Sequence, residues 1–151
     1  MEKNKNKTEQ FLQQLFEDFS RLKVLIIGDV MVDAYYWGSV NRISPEAPVP
    51  IVAVEEKEER MGGAANVALN VQALGAQPFI CSVIGEDEAG NTFLNLLKKN
   101  KQSKEGLLRI KNRKTTKKTR IIGNHHQMLR IDSEETEPID KKTENQFIEL
   151  I

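Results

Sequence analysis

The chain is poor in the features that usually identify a protein at first sight. It has one cysteine, one tryptophan and no excess of either charge sign. A disulfide needs two thiols, so the lone Cys81 excludes an internal disulfide framework and points to a reducing, cytoplasmic setting. Its surroundings, "PFICSVIG", are apolar and read as buried strand, which makes Cys81 a core residue. Basic and acidic side chains number 22 each, so the net charge is zero. A nucleic-acid binder usually shows a basic excess, and no nucleic-acid partner is expected. No apolar run approaches the roughly 20 residues of a membrane helix, and "MEKNKNKTEQ" lacks the apolar core of a secretion signal. Two phosphate-binding signatures, G-x-x-x-x-G-K-[ST] and G-x-G-x-x-G, are also missing. The last glycine is Gly123, so no glycine-rich anion cradle follows it. There is no internal repeat and no low-complexity tract. What remains is 151 residues, 39% hydrophobic and 29% charged, the profile of one soluble globular domain.

Within that frame the patterning is clear. "TEQFLQQLFEDFS" spaces Phe11, Leu12, Leu15, Phe16 and Phe19 as an amphipathic helix, with Thr8 as a candidate N-cap. "LKVLIIGD" is a nearly continuous aliphatic run and predicts a strand buried on both faces, as in a parallel sheet. "VMVDAYYWG" continues extended, and "NRISPEAPVP", with three prolines, predicts an irregular loop. "IVAVEEKEER" begins as a strand and ends in charge. "GGAANVALNVQALGA" predicts a helix from about Gly63 to Leu74, with Gly75 in the left-handed position after its end. "QPFICSVIG" reads as another buried strand. "DEAGNTFLNLLKKN" reads as a helix with Phe93, Leu94 and Leu97 inward, its acids and lysines placed to suit the helix dipole. The alternation predicts an α/β doubly wound architecture. "EGLLRI", "KKTRIIG" and "HHQMLRID" then form a group of short strands, and "DKKTENQFIELI" returns to helix.

Four groups could carry chemistry. Gly62 and Gly63 allow close backbone approach, and Asn66 offers a donor and an acceptor to sugar hydroxyls. The same residues also suit plain helix–sheet packing. Asp29 and Asp33 follow the first buried strand, where ligands gather in open α/β sheets, although either could be a turn aspartate. Lys117, Lys118, Arg120 and Arg130 interleave with hydroxyls as a phosphate clamp would, or simply form a solvated strand face. His125 and His126 have no companion cluster of ligands and mark a turn rather than a metal site.

"GGAANVALNVQALGA" followed by "IGEDEAG" resembles the N-terminal signature of the PfkB, ribokinase-like carbohydrate kinases. "GDVMVDAYYWGSVNRISPEAPVPIV" is similar to the D-glycero-β-D-manno-heptose 7-phosphate kinase branch, often the first domain of a bifunctional kinase/adenylyltransferase. The resemblance covers about Lys23 to Asp132. It implies an incomplete ribokinase-like αβα sandwich with a small β-sheet lid, its strands within about 35–56 and 106–132. It also implies transfer of the γ-phosphoryl of ATP to the anomeric hydroxyl of the sugar phosphate, with Mg2+ as the companion ion. Asp33, Gly62, Gly63 and Asn66 would hold the sugar, and Arg42, Lys118, Arg120 and Arg130 its phosphate. A homodimer through the lid is expected. The family's "GAGD"-like segment, which supplies an anion hole and the general base, has no counterpart here. Residues 1–151 therefore read as the N-terminal portion of one kinase domain. Alone, they are expected to be inactive and to bind no nucleotide or metal. A sugar-phosphate-binding or assembly module without catalysis, and a kinase for another sugar, are the alternatives.

Overall fold

The computed structural model describes residues 2–151. In chain order the elements are α1 (Glu2–Phe19), β1 (Lys23–Ile27), β2 (Val30–Ile43), β3 (Pro50–Gly63), α2 (Ala64–Ala73), β4 (Gln77–Gly85), α3 (Glu88–Lys99), β5 (Leu107–Ile110), β6 (Lys117–Gly123), β7 (His126–Ser133) and α4 (Lys141–Leu150). They build two sheets, a parallel one in the order β1-β4-β5 and a mixed one in the order β3-β2-β6-β7.

The core follows from the apolar pattern. Ile26 of β1 and Ile80 and Ile84 of β4 pack with Ala65 and Ala68 of α2 and with Phe93 and Leu97 of α3. Phe93 and Leu97 lie one helical turn apart, so both point at the sheet. Val30 and Val32 of β2 and Met61 of β3 enter the same cluster, rooting the mixed sheet in the body. Cys81 is fully buried, as its apolar run required, and burial pushes its thiol pKa up.

Three expectations are corrected here. Helix α1 begins at Glu2, so Thr8 lies inside it and is not its N-cap. Strand β1 is not buried on both faces: Ile26 faces the core, while Leu25 and Ile27 are 48% and 55% exposed. The second face of the parallel sheet thus has only partial cover. Leu107–Ile110, grouped by sequence with the lid strands, pairs in parallel with β4 and extends the main sheet. Its four residues are too few to show an orientation in sequence, and pairing alone assigns them. The mixed sheet instead draws on longer strands than expected, 30–43 and 50–63, with 44–49 as the proline-rich loop.

Two junctions connect the sheets. At the first, Asp87 caps α3 by accepting from Gly90 N at 2.8 Å, and also accepts from Thr115 N at 2.9 Å and Thr115 Oγ1 at 2.7 Å. Thr115 Oγ1 in turn accepts from Gly85 N at 2.8 Å. Burial pushes the Asp87 carboxyl pKa up, but these hydrogen bonds outweigh it and hold the group below the usual range. The network ties the turn where the chain leaves β4 and enters α3 to the segment that enters β6. At the second, β3 becomes α2 at Gly63, whose φ is +60°. A Cβ there would lie 2.3 Å from the Asp29 carbonyl oxygen. That carbonyl accepts from Ala64 N at 2.8 Å. Gly75 follows α2 at φ +97°, the left-handed position the sequence predicts.

Candidate functional site

Side chains alternate along a strand, so Asp33, Tyr35 and Trp37 share one face of β2. The parallel register sets Lys118, Arg120 and Ile122 of β6 beside them. Arg60, Glu58 and Glu56 of β3 stand on the other side. Asp132 and Arg130 of β7 lie opposite Lys118 and Arg120. One face of the mixed sheet therefore gathers two aspartates, two glutamates, two aromatics and four cations at defined positions. Lys117 falls on the other face, where its Nζ meets Glu59 Oε1 at 2.6 Å. Strand alternation thus splits the "KK" pair that the sequence offered as one clamp.

Asp33 is the centre of this face. Arg120 Nη1 donates to Asp33 Oδ1 at 2.6 Å, and the two side chains are 23% and 19% exposed. This bond holds the Arg120 guanidinium pKa above its usual value. Gly62 lies directly against the carboxylate: a Cβ there would come within 2.2 Å of Asp33 Oδ2. The glycine pair thus serves two needs, room for Asp33 at Gly62 and a left-handed turn into α2 at Gly63. Helix α2 has no side-chain cap, and Asn66 stands exposed in its first turn.

The other predicted residues are placed as follows. Lys118 Nζ donates to Asp132 Oδ2 at 3.1 Å and Glu134 Oε2 at 3.0 Å. These bonds hold its pKa above the usual lysine value, the Glu134 bond first. Arg130 donates to both oxygens of Asp132, at 2.8 and 3.0 Å. The Asp132 carboxyl is held below its usual range by Arg130 and then Lys118. Arg42 is not brought here: it lies near the far end of β2, which at the strand rise is roughly 30 Å along the chain from Asp33. Asp29 is exposed and borders a cleft of about 640 Å³ shared with Met31, Arg113 and Lys114. His125, at φ +67°, and Asn124, at φ +50°, make the turn between β6 and β7. Among the described residues no three His, Cys, Asp or Glu side chains gather as a metal cage.

Sequence reading missed the aromatics. Tyr35 and Trp37 stack with centroids 6.1 Å apart and planes at 16°. The guanidinium carbons of Arg60 and Arg120 lie 4.9 and 5.2 Å from the Tyr35 centroid, within cation–π range. The signal was present in "DAYYW", where alternation puts Asp33, Tyr35 and Trp37 on one face. It becomes readable once Val30–Ile43 is known to be one long strand.

Residues 21–150 match the family model described as pfkB family carbohydrate kinase. The chain belongs to this family. The Bifunctional protein HldE of Helicobacter acinonychis (strain Sheeba) is 44% identical over 129 residues, which is 85% of this chain and 28% of that protein. The Bifunctional protein HldE of Trichlorobacter lovleyi is 43% identical over 139 residues, 92% of this chain and again 28% of the relative. The pfkB-family chain therefore spans under a third of the length of these relatives. Among solved structures, the ribokinase of Cryptococcus neoformans var. grubii serotype A, in complex with ADP, superposes with a TM-score of 0.53 at 20% identity. That match covers 74% of this chain and 34% of the ribokinase, and it establishes likeness of fold. The architecture is accordingly an incomplete ribokinase-like fold, with one parallel and one mixed sheet. No helix among the described residues is long and apolar enough to cross a membrane.

Proposed function

We propose that this chain is the sugar-binding half of a cytoplasmic kinase that transfers the ATP γ-phosphoryl to the anomeric hydroxyl of D-glycero-D-manno-heptose 7-phosphate, on the route to ADP-heptose and the lipopolysaccharide core. The observation that carries the reading is the seat of Asp33 on the bare backbone of Gly62, next to the uncapped start of α2. An ionised carboxylate in that position accepts two hydroxyl hydrogen bonds. Asn66 adds a donor and an acceptor from the first turn of the helix. Gly62 and Gly63 keep side chains out of the approach. Lys118, Arg120 and Arg130 lie on the same face as Asp33 and suit the sugar's phosphate. Arg42, at the far end of β2, has no part in this arrangement.

ATP with Mg2+ supplies the transferred group and neutralises its charge when bound. The described residues do not fit that role. They gather no metal cage, and no glycine-rich cradle follows Gly123. The nucleotide and the general base are assigned to the remainder of the kinase fold. Homodimerisation through the mixed sheet completes the proposal. Strand β7 is an edge exposed throughout, with Leu129 and Ile131 at 56% and 52% exposure, and such edges are normally covered or paired.

The test is Asp33→Ala and Asn66→Ala in the complete enzyme. Each removes a hydrogen-bond partner of the sugar hydroxyls, a loss of about 1–3 kcal/mol, or roughly 5- to 150-fold in affinity. Sugar kinetics within about twofold of wild type for both variants would remove these residues from the site.

A further inference from the structure

Each cation on the Asp33 face is bonded to a carboxylate of its own chain, and one of these bonds differs from the rest. Arg60 is held by Glu58 at 2.6 and 2.7 Å, Lys118 by Asp132 and Glu134, and Arg130 by Asp132. None of those carboxylates has a part in the sugar reading. Arg120 is bonded to Asp33 itself.

Register does not dictate that choice. The residues directly across from Asp33 are both cations, Arg60 on β3 and Lys118 on β6. Both turn away to other partners. Arg120 stands across from Tyr35 and leans back over its ring, 5.2 Å from the centroid, to reach Asp33. The ring, which also carries Arg60 at 4.9 Å, is the surface that directs the guanidinium along the sheet.

We propose that Arg120 occupies Asp33 as an internal ligand and thereby makes a phosphate group on the sugar a condition of tight binding. This rests on the reading that Asp33 receives the sugar hydroxyls. A neutral sugar that takes Asp33 leaves the guanidinium without its carboxylate partner, with only the Lys118 carbonyl at 3.5 Å, at a position only 23% exposed. A partly buried charge stripped of its partner is costly. A phosphate ester replaces the lost carboxylate with an acceptor that fits the planar fork in bidentate fashion. The sugar phosphate therefore exchanges one partner for another, while the neutral sugar breaks a bond and replaces only half of it. Arg120 in this role determines specificity, and Tyr35 positions it.

Trp37, the only tryptophan, stacks on Tyr35 and reports on the site. The experiment is a Trp37 fluorescence titration of the full chain with D-glycero-D-manno-heptose 7-phosphate, the same heptose without its phosphate, and inorganic phosphate. Wild type, Arg120→Gln and Arg120→Lys are compared, with circular dichroism to verify folding. Wild type is expected to prefer the phosphate ester over the free heptose by roughly tenfold or more, the worth of a charge-assisted hydrogen bond. In Arg120→Gln the ester binds more weakly, the free heptose binds more tightly than in wild type, and the two affinities converge. Arg120→Lys keeps a preference for the ester. An unchanged preference in Arg120→Gln, or a free-heptose affinity that falls with the ester's, overturns the internal-ligand role and leaves the sugar site standing. No Trp37 response to any of the three compounds in any folded variant overturns the site reading and this inference together.

Discussion

The parallel sheet β1-β4-β5 buries one face under α2 and α3, whereas the mixed sheet β3-β2-β6-β7 carries its outer length into water. In the first, order comes from apolar side chains: Ile80, Ile84, Phe93 and Leu97 are each no more than 2% exposed. In the second, Val30, Val32 and Met61 at the roots join the shared core, and Ala34 and Ile122 are buried besides. Farther out, the sheet is held by ladder hydrogen bonds, ion pairs and ring contacts, and every residue of β7 is exposed. The contrast separates two tasks. A packed region fixes the backbone, and a weakly packed one presents paired charges at the surface. Regions that must rearrange around ligands are drawn from the less stable parts of a fold.

The comparison is broken most severely from the packed side. Phe93→Ala empties the centre of the shared core and is expected to cost about 3–5 kcal/mol, a large share of a typical domain's stability. A urea melt followed by circular dichroism checks this, and a midpoint close to wild type would mean that Phe93 is not the keystone of the packing. The junction between the sheets comes next. Asp87→Asn turns one acceptor oxygen into an amide donor facing an N–H or hydroxyl, at about 1–3 kcal/mol. Because the folded pKa of Asp87 lies below its unfolded value, its contribution is complete above the unfolded pKa, near 3.9, and is lost as pH falls through the folded one. The stability of Asp87→Asn, measured from pH 7 to pH 2, should therefore fall less steeply at the acid end. Equal slopes would show that other carboxylates govern acid unfolding. The smallest effect is expected on the mixed sheet. Arg130 is 50% exposed in its pair with Asp132, and Arg130→Ala should change global stability by no more than about 0.5 kcal/mol. A loss comparable to that of Phe93→Ala would erase the distinction between the two sheets.

Much of this arrangement was legible in the sequence. The core helices were readable because Phe93, Leu94 and Leu97 fall at helical spacing, and Gly75 because a left-handed residue commonly ends a helix. The lone Cys81 sat in an apolar run that could hardly be anything but interior. Asp33, Gly62 and Gly63 were nominated from motif and position, and the fold sets Asp33 against Gly62 while Gly63 lies against the Asp29 carbonyl. Strand partnership was harder to read. Leu107–Ile110 is too short to reveal that it joins β4. Lys117 and Lys118 look equivalent in a string, but alternation sends them to opposite faces. Leu25 and Ile27 belong to a run that is uniformly aliphatic, so nothing local distinguishes the covered face from the open one. The bond between Arg120 and Asp33 joins residues far apart in sequence, and only the parallel register of β2 and β6 brings them within reach.

Gly63 has a consequence for how such a chain can change over evolutionary time. It is the residue where the charged sheet ends and the packed helix begins, and it has no side chain that selection could adjust. Its φ of +60° and the Asp29 carbonyl 2.3 Å from any added Cβ leave no graded series of replacements. Beyond the glycine pair, substitutions can accumulate by small steps, so the charged surface can drift in charge while the core drifts in volume. The joint between them is all or none, and the two halves remain free to diverge because the residue between them is not.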